Sequence, residues 1–320
     1  MAVAVAGIAM RRETAWSEAV AAAILVAFLI AAPFVLYPVF LMKALCFALF
    51  ACAFNLLIGY VGLLSFGHAL YFGWASYLCA YAAKSWGLQP ELAVLIGTAT
   101  AAVLGVIAGG LAIRRQGIYF AMITLALAQM MYLVALRVKL TGGEDGIQAV
   151  PRGYLFGVLD LNNEINMYVF VLVIVLAALF FIYRIINSPF GEVLKAIREN
   201  EQRMISLGYN TDRYKLVAFV LSATLAGLAG SVKALVFQLA SLTDVHWTMS
   251  GEVVLITLVG GLGTIFGPIV GAFLIIAMEN YLAPFGQWVL VIQGAIFVVC
   301  VLVFRRGIVG ELANLLRVRL

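Results

Sequence analysis

The sequence predicts an all-α fold: a polytopic transmembrane helical bundle of about ten membrane segments, broken or half helices included, in two pseudo-repeated halves. Three observations carry this. Hydrophobic residues make up 65% of the 320 positions and charged residues 11%, against roughly 45–50% and about 25% in soluble domains. Apolar stretches of around 20 residues, the length that spans a hydrocarbon core of about 30 Å, recur along the chain. The short alternating segments of a membrane β-barrel are absent. The whole chain, 1–320, therefore reads as one transmembrane domain.

The elements follow in order. Arg11 and Arg12 precede an apolar run, Ala15 to Leu36. It is too long for a signal-peptide core and has no clean cleavage site, so 16–36 reads as the first span. Further spans are expected near 41–60, 66–83, 91–113, 118–138, 165–186, 214–238, 249–261, 264–282 and 286–304. The segment 249–261 is too short to cross alone. With Gly260, Gly261 and Gly263 at its end, it reads as a half helix packed beside protein rather than lipid.

Charge orients the bundle. Fourteen of the 20 lysines and arginines fall on one side: Arg11, Arg12, Arg114, Arg115, the six from Arg184 to Lys215, Arg305, Arg306, Arg317 and Arg319. That side is assigned to the cytoplasm, with both termini on it. A nine-span arrangement would put the C-terminal arginines on the wrong side. The opposite side receives Lys43, Lys84, Arg137, Lys139, Arg152 and the largest outer loop, 140–164, expected in the periplasm. Its Gly142, Gly143, Glu144, Asp145 and Gly146 are turn formers. Glu144 and Asp145 could hold a cation, but a solvated turn is the simpler reading.

Several chemistries are excluded or left without support. The net charge of +5 comes from loop ends and indicates membrane orientation, not nucleic acid. Cys46, Cys52, Cys79 and Cys300 lie in apolar segments without metal-ligand spacing and read as free thiols. No Gly-Lys dipeptide occurs, hence no phosphate-binding loop, and C-x-x-C, H-E-x-x-H and G-x-S-x-G are missing too. No catalytic residue, metal site or cofactor is expected. Energy for any active transport must come from another subunit or a gradient.

Two glycine-rich stretches, Gly59 to Gly73 and Gly260 to Ala272, each carry Phe-Gly before a small-residue helix. Transporters built from repeated halves interrupt matching helices beside the solute path. Gly62, Ser65, Phe66, Gly67 and His68 in one half, and Gly263, Thr264 and Gly267 in the other, are accordingly path or gating candidates, together with Glu252. Glycines four apart (Gly263, Gly267, Gly271; Gly105, Gly109) are expected first of all to let another helix approach closely. His68 reads primarily as a hydrogen-bonded core residue. Lys43, Glu252 and Glu279 sit near outer span ends, where snorkelling accounts for them. Lys233 is the deepest charge, and either pairs with a carboxylate or carbonyl or reaches the interface.

Residues 187–213 break the apolar pattern. From Arg184 to Lys215 there are ten charged residues. Ser188 before Pro189 is an N-cap and first helical position, with Glu192 in the first turn. Asn200 caps a second short helix, Glu201 to Leu207, closed by Gly208. The pair is expected to offer Arg198, Glu199, Glu201 and Arg203 to a soluble partner, with Met204, Ile205 and Leu207 as apolar contacts.

Three motifs carry a family resemblance. They are Gly-Tyr-Val-Gly-Leu-Leu-Ser-Phe-Gly-His-Ala from Gly59, Ser-Pro-Phe-Gly-Glu-Val-Leu-Lys-Ala-Ile-Arg-Glu-Asn-Glu-Gln-Arg from Ser188, and Gly-Glu-Val-Val-Leu-Ile-Thr-Leu-Val-Gly-Gly-Leu-Gly-Thr-Ile-Phe-Gly-Pro-Ile-Val-Gly-Ala from Gly251. Over about residues 40–310 the chain resembles the inner-membrane permeases of branched-chain amino-acid ABC importers, the "M" type in particular. The resemblance implies a heterodimer with a second, related permease, two cytoplasmic ATPases that bind ATP and Mg, and a periplasmic binding protein. It places Glu192, Arg198, Glu199, Asn200, Glu201 and Arg203 in the segment that couples to the ATPase. The cargo it implies is leucine, isoleucine or valine, moved inward across a bacterial inner membrane. Related permeases carry urea, amides or aromatic acids, and the 142–146 loop departs from the pattern. A self-sufficient secondary transporter and a membrane scaffold are the readings from other classes.

Overall fold

The computed structural model describes residues 23–34, 36–157, 159–286, 288–304 and 307–315. Arg11, Arg12, Arg305, Arg306, Arg317 and Arg319, which helped to orient the chain, lie outside the described residues. Residues 23–31 form α1. There follow α2 (Pro38–Tyr60), α3 (His68–Lys84), α4 (Pro90–Ala112), α5 (Ile118–Arg137), α6 (Glu164–Ile186), α7 (Pro189–Glu199) and α8 (Glu201–Ser206). The rest are α9 (Thr211–Phe237), α10 (Trp247–Gly260), α11 (Gly267–Leu282), α12 (Trp288–Val303) and α13 (Gly307–Leu315). The first expected span, 16–36, begins outside the described residues; the other expected spans and observed helices agree to within a few residues.

Five of these helices, α2, α4, α5, α6 and α9, are long and apolar enough to cross a membrane. The others among the expected spans are shorter; α10 has 14 residues and ends at Gly260.

Local chemistry fixes the starts. Pro38 and Pro90 open α2 and α4, where their missing N–H is no loss. Asn163 and Asn210 cap α6 and α9 by accepting from Ile165 N at 3.0 Å and Arg213 N at 3.3 Å.

The core is built on α2 and α9. Leu41 to Leu57 on α2 are almost continuously buried, so this helix is surrounded by protein on all sides. Helix α9 packs against α2, α3 and α4. A Cβ at Gly230 would collide with Phe72 O, and one at Gly227 with the Ala101 methyl. Small residues thus bring three backbones together in the absence of a hydrophobic driving force between apolar helices. Gly105 and Gly109 do the same on α4: side chains there would meet Ala223 and Phe219 of α9, at 2.8 Å each. Outward faces stay apolar, as with Val103 and Ile107 on α4 and Ile118, Met122 and Leu133 on α5.

The loop 140–164 is more ordered than its turn-forming composition suggested. β1 (Ile147–Gln148) pairs antiparallel with β4 (Leu239–Ala240), and β2 (Tyr154–Leu155) with β3 (Leu159–Asp160). Arg152 donates to Val236 O at 2.7 Å and Lys84 to Gln148 O at 2.7 Å, so the segment caps the end of α9. Glu144 and Asp145 are exposed. Lys233 does find a carboxylate: it contacts both oxygens of Asp244 at 2.8 and 2.6 Å, and Asp244 also accepts from Ser241 N at 3.2 Å. A buried cation is tolerable only when paired in this way.

Candidate functional site: a seam between two helix breaks

Helices α2, α10 and α11 pack on one another, and both glycine breaks lie at the same end of this group. After Tyr60 the chain leaves α2 and turns at Gly62, with φ of 80°. It re-enters a helix at His68. After Gly260 it turns at Gly261 and Gly263, with φ of 124° and 75°, and restarts at Gly267. These positive angles exclude most side chains.

The breaks meet. Asn55, 3% exposed, donates from Nδ2 to Thr264 O at 2.8 Å and accepts at Oδ1 from Gly263 N at 3.0 Å. A Cβ on Gly59 would lie 2.9 Å from Gly263 N, so the two backbones touch directly. Thr264 organises its own turn: Oγ1 donates to Gly261 O at 2.9 Å and accepts from Gly267 N at 3.1 Å. On the other break, Ser65 Oγ accepts from Gly67 N at 3.2 Å, and Phe66 N donates to Thr124 Oγ1 of α5 at 3.2 Å. His68 is fully buried and its Nε2 lies 2.8 Å from Ser222 Oγ, which donates to Ala53 O at 2.6 Å. It is the core histidine expected.

Gly267 lies in a close approach, as expected, and it also serves its own turn: a Cβ there would strike Thr264 Oγ1, come within 2.7 Å of Gly261 O and lie 2.9 Å from Gly260 O of α10. The groove is between α10 and α11, where Gly260 faces the Gly267 carbonyl and Gly271 faces Ile256 O.

The polar insert folds as read, and then departs from the reading. Ser188 Oγ accepts from Gly191 N at 3.3 Å, and Asn200 Oδ1 from Arg203 N at 3.0 Å, so both caps form. Helix α7 buries Gly191, Leu194 and Ile197. Arg198 is exposed, as expected of a residue offered to a partner, and its guanidinium also donates to Gly59 O. Its stem lies 3.1 Å from where a Gly62 Cβ would be, and Nη1 3.5 Å from a Gly263 Cβ position. One side chain of α7 thus reaches both breaks.

Glu201 departs. It binds Lys215 at 2.5 Å and Thr211 Oγ1 at 3.0 Å, and accepts from Gln116 at 2.8 Å. It therefore ties α8 to α9 and to the turn before α5. Met204 is buried rather than offered. Glu192, Glu199, Asn200 and Arg203 remain at the surface, joined by Ile205, Leu207 and Tyr209.

At the opposite end of the seam, snorkelling is overturned. Lys43 of α2 pairs with Glu279 of α11 at 2.9 Å across 236 positions. Glu252 of α10 has its Oε1 shut off from solvent. Lys43 and Glu279 bind each other across two helices instead of reaching separately for an interface.

Asn55 was missed. Its signal was present, as the one strongly polar side chain in the apolar run 41–60 apart from Lys43. Ser222 and Thr124 carried no signal, because single hydroxyls are common in spans.

Residues 36–301 match the family described as the branched-chain amino acid transport system permease component. Among curated proteins, the chain is 28% identical to the high-affinity branched-chain amino acid transport system permease protein LivM of Escherichia coli K12, over 76% of this chain and 63% of that protein. It is 27% identical to the Salmonella typhimurium LivM over the same shares. It is also 29% identical to the autoinducer 2 import system permease protein LsrC of Yersinia pseudotuberculosis, over 46% of this chain and 42% of that one. The chain thus spans less than two thirds of the length of these relatives. No solved structure matches it. With its three motifs, its multi-pass apolar helices and the family match over most of its length, the chain belongs to the branched-chain amino acid transport system permease family.

Proposed function

We propose that this chain is the permease subunit of an ABC importer, lining a path for leucine, isoleucine or valine handed over by a periplasmic binding protein. In this reading it pairs with a second, homologous permease in the bacterial inner membrane and crosses it in ten segments, as two pseudo-repeated halves. Both termini and the 187–213 segment are cytoplasmic, and 140–164 is periplasmic. ATP and Mg are bound by two ATPase subunits docked on α7 and α8. The LivM relatives favour an amino-acid cargo over the autoinducer of LsrC, since they match a larger share of the chain.

The observation that carries the reading is the Arg198 contact. A helix that only covered the bundle would not need to hold both backbone breaks. A helix that transmits an event from a docked ATPase would, because moving α7 then pulls on the turns between α2 and α3 and between α10 and α11. Glu192, Glu199, Asn200 and Arg203 form the docking rim, and Glu201 holds that rim to α9. Gly62, Ser65, Phe66, Gly67, His68, Gly263, Thr264 and Gly267 belong to the gating turns and their supports, and Glu252 to the path.

The test separates the two arginines. Arg203→Glu should weaken retention of the ATPase, since charge reversal at a rim costs association. Arg198→Ala should keep the ATPase bound yet lower uptake per ATP hydrolysed. Normal retention in the first variant together with normal coupling in the second would refute the docking assignment. Uptake without any ATPase would favour a secondary transporter.

A further inference from the structure

Helix α5 buries only a narrow stripe, Phe120, Thr124, Ala128 and Ala135, and turns most of its surface away from the bundle. Where it starts, Arg115, Tyr119, Met122, Ile123 and Ala126 line a hollow of about 650 Å³. Ala126 gives the room, its methyl lying one turn from each of the exposed Met122 and Met130. Tyr119 and Ala126 are about 10 Å apart along the axis at about 1.5 Å per residue. With Arg115 beyond them, the hollow covers most of the ~15 Å depth of one membrane leaflet.

The mouth is cationic. Arg114 and Arg115 are exposed, and among the described residues neither has a carboxylate: the ion pairs there are Lys43–Glu279, Lys215–Glu201 and Lys233–Asp244. No acidic residue stands in the first turn of α5. Gln116, next in the turn, binds Glu201, whose charge Lys215 already neutralises. The occupant that fits is anionic at one end and hydrocarbon at the other.

We propose that this hollow binds an anionic phospholipid, with its phosphate on Arg114 and Arg115 and an acyl chain laid along Tyr119, Met122 and Ala126. A guanidinium can hold a phosphate through two parallel N–H···O bonds, and basic sites at the ends of membrane helices attract anionic lipid. The apolar wall selects a lipid over a soluble anion, which would leave it uncovered. The head group lies one residue from Gln116, and so beside the link from this turn to α8. The inference does not depend on the cargo.

The full-length permease with its co-purifying subunits, placed in nanodiscs of mixed phosphatidylcholine and phosphatidylglycerol, tests this. After detergent extraction, native mass spectrometry counts the lipids that stay bound. Phosphatidylglycerol should be retained in excess of its share in the nanodisc. Arg114→Gln combined with Arg115→Gln should lower that excess by roughly tenfold or more, the attraction of two basic residues at a membrane surface. Arg137→Gln, at the far end of α5, should leave it unchanged. Ala126→Leu keeps both charges but fills the hollow, and should also lose the lipid; it decides the matter if the double arginine variant fails to assemble. Undiminished retention in the double variant or in Ala126→Leu overturns the proposal. So does efficient cross-linking of a Tyr119→Cys variant to the second permease in native membranes, because protein would then cover the hollow.

Discussion

Replacing Asn55 by alanine tests the junction at its centre. The side chain satisfies two backbone groups of the opposite break, Gly263 N–H and Thr264 C=O, at 3.0 and 2.8 Å. Truncation leaves both without their partner in a partly buried place, and each such loss costs about 1–3 kcal/mol. The expected destabilisation is therefore roughly 2–6 kcal/mol, which for a chain of this size lowers the unfolding midpoint by about 3–9 °C. Cys46, Cys52 and Cys79 are buried, so a thiol-reactive fluorogenic dye reads unfolding directly in detergent. Gly59→Ala supplies an internal check, because its new methyl would strike Asn55 Oδ1 as well as Gly263 N. In the double variant the first collision disappears, and the two costs should sum to less than the singles. An unchanged midpoint in Asn55→Ala, or strict additivity with Gly59→Ala, would refute the view that Asn55 joins the breaks.

Gly267→Leu should impair assembly or uptake strongly, since the side chain would enter the Thr264 turn, while Gly110→Leu, with nothing within 4 Å, should be mild. Equal effects would show that α11 is not packed as described. For topology, with the four native cysteines replaced, a cysteine at Asn210 should resist an impermeant reagent added outside intact cells, and one at Gly146 should react unless a partner covers the loop. The reverse pattern would invert the orientation read from charge.

Composition and apolar run length located the helices because membrane insertion imposes a simple rule on every span. Caps were equally legible: Ser188, Asn200 and the glycine turns act through the next few residues, and local geometry is written locally. What the sequence hid was pairing over distance. Lys43 and Glu279 each look like an interfacial charge when read alone; only the packing of α2 on α11 makes them one site. The Arg198 contact was hidden for the same reason: the residue is exposed on α7, as helix periodicity places it, yet its long stem lets the head reach Gly59. Glu201 shows the converse, a charge in a charge-rich helix that is consumed internally by Lys215 and Thr211.

The energies at the junction are small, and that bears on how such a seam could act. Two hydrogen bonds from Asn55 join the breaks and one from Arg198 ties α7 to Gly59, each with a net worth of about 0.5–1.5 kcal/mol. Together they amount to roughly 1.5–4.5 kcal/mol, whereas shifting a two-state element from 1:99 to 99:1 takes about 5.5 kcal/mol of differential affinity. A partner docked on α7 can therefore bias the junction without unfolding anything, provided that its contacts differ between the two states. The glycines make this possible in a second way. At Gly62, Gly261 and Gly263 the backbone already occupies angles that only glycine adopts easily, so rotation there meets little side-chain resistance. Bulky residues around them, Phe54 and Leu57 on α2 and Ile256 on α10, are fully buried and resist deformation. Motion, if α7 drives it, must concentrate in the turns rather than spread along the helices.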